Sequence, residues 1–170
     1  MLLWLWYATL VLEGLALAFM LQNPSYDPVW FAKLKSAFLP IPPAITFKVA
    51  WTICYACTFI SYTLLVRAKQ TENTRVTRRQ SMIRKGGHDN RLTAMTLLHV
   101  YMSLNFVWSV IFFQWHRRDL ALVDSLACLV TLGVAMYYAK RADKYAFFVL
   151  IPHMAWLSFG TLLGVSIWMA

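Results

Sequence analysis

Apolar positions in this chain gather into five long runs, Leu2–Leu21, Ala44–Val66, Leu92–Trp115, Leu120–Tyr138 and Tyr145–Met169, parted by shorter polar stretches. A helix needs about 20 predominantly apolar residues, rising about 1.5 Å each, to cross the hydrocarbon core of a bilayer. All five runs meet or approach that length. Within lipid every backbone N–H and C=O must be satisfied inside the structure, which leaves helices or closed barrels. The runs are continuous rather than alternating, and that excludes a barrel. The expected fold is all-α, a single integral membrane domain of five transmembrane helices over residues 1–170. The first run has the length of a signal peptide, and Ala16-Leu17-Ala18 has the small residues of a cleavage site. No basic segment precedes it and Glu13 interrupts it, so it reads as a retained helix.

The connectors differ in kind. Residues 22–43 carry Pro24, Pro28, Pro40, Pro42 and Pro43 among Tyr26, Trp30, Phe31 and Phe38, which predicts an ordered lid lying on the bundle, because prolines lower the entropy of the open chain. Residues 67–91 are polar, rich in Arg and Thr, and contain Gly86-Gly87, which predicts a mobile loop. His116–Asp119 and Ala139–Lys144 read as tight turns between helices.

Composition agrees with the pattern: 60% of residues are hydrophobic and only 14% charged, which no ordinary soluble domain shows. With five spans, little chain remains for a soluble catalytic domain. The net charge of +9 is unevenly placed. Arg67, Lys69, Arg75, Arg78, Arg79, Arg84, Lys85 and Arg91 fall in the second connector and Lys140, Arg141 and Lys144 in the fourth. A five-span topology puts both on one side, and the positive-inside rule turns that side and the N-terminus toward the cytoplasm or its equivalent. The basic loop has no aromatic platform and no nucleic-acid motif; its expected partners are acidic lipid headgroups or an acidic protein neighbour. Cys54 and Cys57 lie one helical turn apart in an apolar run, a packing arrangement rather than a metal or redox site.

Aromatic residues are abundant. Trp4, Trp6, Trp115 and Trp168 sit near span ends, as interface belts do, whereas Trp108 and Trp156 fall well inside their spans. Asn105 and Trp108 share a helix face, as do Trp51, Tyr55 and Tyr62, and Trp156, Gly160, Leu163 and Gly164 form a third stripe. A large ring beside small residues leaves a groove suited to a flat apolar ligand, although ordinary helix packing makes the same pattern. Within the spans the polar residues are Glu13, Lys48, His99, Asn105, Asp124 and His153. Each needs a partner or water in lipid. The two histidines read as helix-to-helix hydrogen bonders, and the six are too scattered for a proton relay. No nucleophile–base pair or phosphate loop is present, so conventional hydrolase or transferase chemistry is not expected.

Several of these residues fall into a known pattern. Trp51-Thr52-Ile53-Cys54-Tyr55 resembles the W-T-x-x-Y of the TspO/MBR family, the translocator and tryptophan-rich sensory proteins. Asn105 to Phe113 is similar to N-x-x-W-S/P-x-x-F-F, Ala121 to Asp124 to A-x-x-D, and Pro152 to Phe159 to P-Y-x-A-W-x-x-F. Order and spacing agree from about Trp30 to Trp168. The chain departs from the pattern at Phe38-Leu39-Pro40-Ile41-Pro42-Pro43, at Ile45 in place of a tryptophan, at Lys48 in place of a glycine and at Tyr101 in place of a glutamine. The sterol-associated L-N-Y stretch is Leu163-Gly164-Val165 here.

The resemblance implies a five-helix bundle, often dimeric, with a cavity beneath the first connector. It implies a ligand-binding set of Trp51, Asn105, Trp108, Trp156, Gly160, Thr161 and Leu163, with Asp124 as a structural polar residue. It implies no required cofactor and no metal; the ligand would be a tetrapyrrole such as protoporphyrin IX or haem, or a sterol-like molecule, held by a receptor, carrier or sensor. The alternative is an accessory subunit of a larger membrane complex, for example of the mitochondrial respiratory chain, that keeps the fold without the ligand. Light-dependent porphyrin degradation, known for some bacterial members, ranks last. Implied partners are membrane lipids and a second copy or complex subunits; the membrane favoured is mitochondrial, with a bacterial one as the other setting.

Overall fold

The spans of this chain satisfy their backbones as α-helices, and no strand occurs among the described residues. A computed structural model describes Val11, residues 28–73 and residues 81–170, except for the side chains of Pro28, Ala44 and residues 69–89. The expected first span, 2–21, lies outside the described residues but for Val11, as do positions 22–27 of the lid. The elements are a short helix α1 (Pro28–Ala32), then α2 (Ala44–Asn73), α3 (Ser81–Phe113), α4 (Arg118–Ala142) and α5 (Lys144–Trp168). Four of these, α2 to α5, contain segments long and apolar enough to cross a membrane: Ile45–Ala68, Asn90–Phe113, Arg118–Ala142 and Lys144–Trp168. The chain is a helical membrane bundle.

Two boundaries differ from the hydropathy reading. Helix α2 continues through 67–73 and α3 already begins at Ser81, so much of the polar connector expected over 67–91 is helical. The reason is that hydropathy ends where charge begins, while helix propensity does not: Arg-Ala-Lys-Gln-Thr-Glu over 67–72 is mostly good helix-forming sequence. The lid connector, in turn, contains α1.

Helix α4 packs chiefly against α3 and α5, and α5 also against α2. Its buried stripe, Ala121, Ser125, Cys128, Leu132, Ala135 and Ala139, is mostly small, which lets neighbouring backbones approach closely. Helix α5 buries Ala146, Leu150, His153, Leu157 and Thr161 on one face. Asp143 makes the short turn from α4 possible by accepting hydrogen bonds from the Tyr145 and Ala146 amides at 2.7 and 3.2 Å, the usual N-cap arrangement. Only about a third of each span is buried, and exposed apolar residues such as Ile53, Val107, Val123, Val130, Phe148 and Leu162 cover the outside, as a lipid-facing surface requires. Hydroxyls in the spans are satisfied locally: Thr52, Thr63, Thr131, Ser158 and Thr161 each donate to the carbonyl four residues back.

Candidate functional site

The site lies between two buried clusters. One runs along the middle of the bundle around Tyr62, Leu98, Tyr101, Leu132 and Leu150. The other gathers Ile111, Phe112, Ala121, Leu163 and Ile167 beneath the lid residues Trp30, Leu34, Leu39 and Ile41. Between them a cavity of about 640 Å³, counting space that opens to the surroundings, is lined by α2, α3, α4, α5 and the lid. Much of that space lies close against side chains, so the cleft is narrow, and a large ring would displace side chains to enter.

Its walls are aromatic. On one side Trp51 stacks on Tyr55 (ring centroids 5.6 Å apart) and meets Trp108 at 6.3 Å, while Trp108 lies parallel to Phe112 at 5.0 Å. These contacts follow from helical spacing, Trp51 to Tyr55 and Trp108 to Phe112 each being four residues apart. On the other side Trp156 meets the edge of Phe47 at 5.7 Å, and Phe47 meets Phe31 of the lid at 6.1 Å. Ser125 and Cys128 of α4 and Gly160, Thr161, Leu163 and Gly164 of α5 also belong to the lining.

All seven residues singled out from the sequence, Trp51, Asn105, Trp108, Trp156, Gly160, Thr161 and Leu163, line this one cavity. Asn105 is its main polar feature. The Tyr55 hydroxyl donates to Asn105 Oδ1 at 2.9 Å, which occupies the carbonyl side of the amide and leaves its N–H donors for the cavity. Thr161 has no hydroxyl proton to offer, since Oγ1 donates to the Leu157 carbonyl at 2.9 Å. At Gly160 a Cβ would meet nothing within 4 Å, so the glycine is itself part of the open space.

Other residues lie apart from the lining. Asp124, expected as a structural polar residue, is half-buried on α4 with Cys128 Sγ 3.8 Å from Oδ2. Lys48 is exposed and is not among the cavity-lining residues. Tyr62, on the stripe of Trp51 and Tyr55, is buried lower in the bundle against His99, with ring centroids 5.4 Å apart. Sequence reasoning passed over Phe31, Ile41, Phe47, Ser125 and Cys128. Phe47 was findable, four residues before Trp51; the lid residues were not, because their position depends on a contact across the whole chain.

That contact centres on Ser166. Its hydroxyl lies 2.6 Å from Ser36 Oγ and accepts the Phe38 and Leu39 amides at 2.9 and 3.2 Å. Its carbonyl accepts the Ala37 amide at 2.9 Å. The carbonyls of the last turn of a helix lack partners within it, and here the lid supplies one. Trp30 adds a second anchor, stacking on His116 at 4.3 Å and meeting Phe112 edge-on at 5.3 Å. The expected ordered lid is thus present over its described part.

Below the cavity a buried polar chain links three helices. His153 of α5 shares hydrogen bonds with Thr58 of α2 at 2.9 Å through Nδ1 and with Tyr101 of α3 through Nε2. Thr58 Oγ1 donates to the Cys54 carbonyl at 3.1 Å, so the protons run consistently only if Nδ1 carries the imidazole hydrogen and Nε2 accepts from Tyr101. The edge of Trp51 faces this ring at 6.1 Å. His153 is therefore the interhelical bonder expected.

A profile described as the TspO/MBR family matches residues 6–169, nearly the whole chain. This chain belongs to the TspO/MBR family. Among curated relatives, a protein of Archaeoglobus fulgidus named "Tryptophan-rich protein TspO" is 25% identical over 140 residues, covering 82% of this chain and 78% of that protein. The TspO-type bundle and its multi-pass placement in a membrane follow.

Proposed function

We propose that this TspO-family protein binds a flat, apolar ring molecule, of the tetrapyrrole or sterol-like class, in the cavity beneath the lid, and acts as its receptor, carrier or sensor without turning it over. The observation that carries this reading is the convergence of Trp51, Trp108 and Trp156 on a single apolar cavity with one amide donor, Asn105, at its wall. Aromatic faces hold flat ligands by stacking, and a single polar group sets orientation. Porphyrin, the ligand of the family resemblance, suits such walls once side chains move aside. A mitochondrial membrane is the residence favoured in this reading.

The test is a titration of purified protein in mild detergent with protoporphyrin IX, followed by tryptophan fluorescence. Saturable quenching with a dissociation constant of about micromolar order is expected. Trp156→Ala should weaken it by about tenfold or more, as loss of a buried stacking ring costs over about 1 kcal/mol. Gly160→Leu should abolish it while leaving the melting temperature within a few degrees, because the new side chain enters space that is already empty. Non-saturable quenching in all three proteins would sink the proposal.

A second reading has one observation in its favour. Helices α2 and α3 run on past their apolar spans, to Asn73 and from Ser81, so a basic helical extension projects beyond the membrane part of the bundle. Such an extension suits docking to an acidic neighbour in a larger membrane complex. Native gels of source membranes separate the two: migration only as a monomer or homodimer rules the complex out.

A further inference from the structure

A second, narrower space of about 250 Å³, counting what opens to the surroundings, lies beside the cavity between α4 and α5. It shares Trp108, Phe112, Ser125, Gly160, Gly164 and Ile167 with the cavity and adds one residue of different chemistry, Arg118. The two spaces therefore adjoin across α5, where glycine at 160 leaves the wall without a side chain.

The charge on Arg118 is available. The neighbouring carboxylate, Asp119, is taken by Arg117, whose Nε and Nη2 donate to it at 3.0 and 2.7 Å. Arg118 makes one long hydrogen bond, Nη1 to the Ile167 carbonyl at 3.3 Å, and no ion pair among the described residues. A guanidinium has five N–H donors, so most of the fork is left over. The carbonyl it touches belongs to the last turn of α5, and that contact holds the side chain over the gap.

We propose that Arg118 is the acid subsite of the ligand cavity, the group that takes a carboxylate on the rim of the bound ring. This rests on the ligand-binding reading above. The ring would lie between the Trp108 and Trp156 walls, with its carboxylate reaching through the gap beside Gly160 onto the guanidinium. Arg118 is the first residue of the α4 span, the end at which a spanning helix meets the interface. There the carboxylate keeps part of its hydration while the ring is buried, the arrangement an amphiphile prefers. Arginine suits this role better than lysine, because its planar fork grips both carboxylate oxygens.

The experiment compares protoporphyrin IX, a dicarboxylic acid, with its dimethyl ester, a neutral ring of the same shape. Both are titrated into wild type, Arg118→Gln, Arg118→Lys and, as a charge control at the other end of the bundle, Lys140→Gln, by tryptophan quenching. Wild type should bind the diacid about tenfold more tightly than the diester, the scale of a charge-assisted bidentate contact. Arg118→Gln should erase that preference by weakening the diacid alone, Arg118→Lys should keep part of it, and Lys140→Gln should keep all of it. Equal affinity for diacid and diester in wild type, or the same loss in Lys140→Gln as in Arg118→Gln, overturns the acid subsite and leaves the ring-binding reading standing. Failure of wild type to bind either ring overturns both. The ester comparison is made on wild type, so it decides the matter even if a variant fails to fold.

Discussion

Tyr101 of α3 and His153 of α5 are two polar residues in the middle of apolar spans. They lie 52 residues apart in sequence, yet their side chains are hydrogen-bonded and fully buried. The chain of hydrogen bonds runs from Tyr101 through His153 and Thr58 to the Cys54 carbonyl. A direct hydrogen bond between the two side chains implies a coupling energy. Tyr101→Gln and His153→Tyr should each lower stability by about 1–3 kcal/mol, the cost of an unsatisfied buried group. The double variant should recover at least about 1 kcal/mol of the summed loss. Thermal unfolding of the four proteins in detergent measures this directly, and strict additivity would show that the pair is not coupled. Residue-level reading of the sequence reached the histidine's role but not its partners, because the tyrosine that satisfies it is on a different helix. Asn105 shows the same limit: its place on the face of Trp108 was legible from spacing, its bond to Tyr55 was not.

At the level of elements, the lid is the part that the sequence described least. Its prolines and aromatics signalled order, but its anchor is a serine in an apolar helix, which carries no signal of its own. Ser166 joins four lid residues, Ser36 to Leu39, through its hydroxyl and its carbonyl. In Ser166→Ala the hydroxyl contacts go and the Ala37 amide bond to the carbonyl stays. We expect a loss of about 1–3 kcal/mol in stability, faster release of bound porphyrin in stopped-flow measurements, and quicker proteolysis between Lys33 and Lys35. Unchanged release would mean that the Trp30–His116 stack alone holds the lid. That stack has a conformational cost, since His116 occupies the left-handed region at φ 55°, unusual for a residue other than glycine. The helices themselves were read well wherever hydropathy and helicity end together. They were read short at 67–73 and 81–91, where the charge rises and the helix does not stop.

The whole molecule is polarised along its axis. The cavity, lid and Arg118 lie where α3 and α5 end; Lys140, Arg141 and Lys144 lie where α4 ends and α5 begins, at the other end of the bundle. These three cations sit over Phe147, Tyr137 and Tyr145, at 5.4, 4.4 and 5.1 Å from the ring centroids, in the manner of an interfacial belt. By the positive-inside rule we expect that end to face the cytoplasm or its equivalent and the cavity to face away from it. In a background lacking Cys54, Cys57 and Cys128, an impermeant maleimide should label Lys35→Cys in intact cells or organelles and Arg141→Cys only after permeabilisation. The reverse pattern would invert the assignment and put the ligand entrance on the basic side of the membrane.

The clamp on the lid also sets an order of events during synthesis. Ser36 and Ser166 are separated by 130 residues, and the bonds to Phe38 and Leu39 span 128 and 127. Chains leave the ribosome N-terminus first, so the lid is made long before the serine that fastens it. Until α5 is inserted, residues 36–39 have no partner for these hydrogen bonds, and the cavity has no wall from Trp156 to Gly164. Closure of the cavity is thus the last step of assembly, and a chain stalled before α5 is one in which the aromatic face of α2 and α3 still meets the lipid.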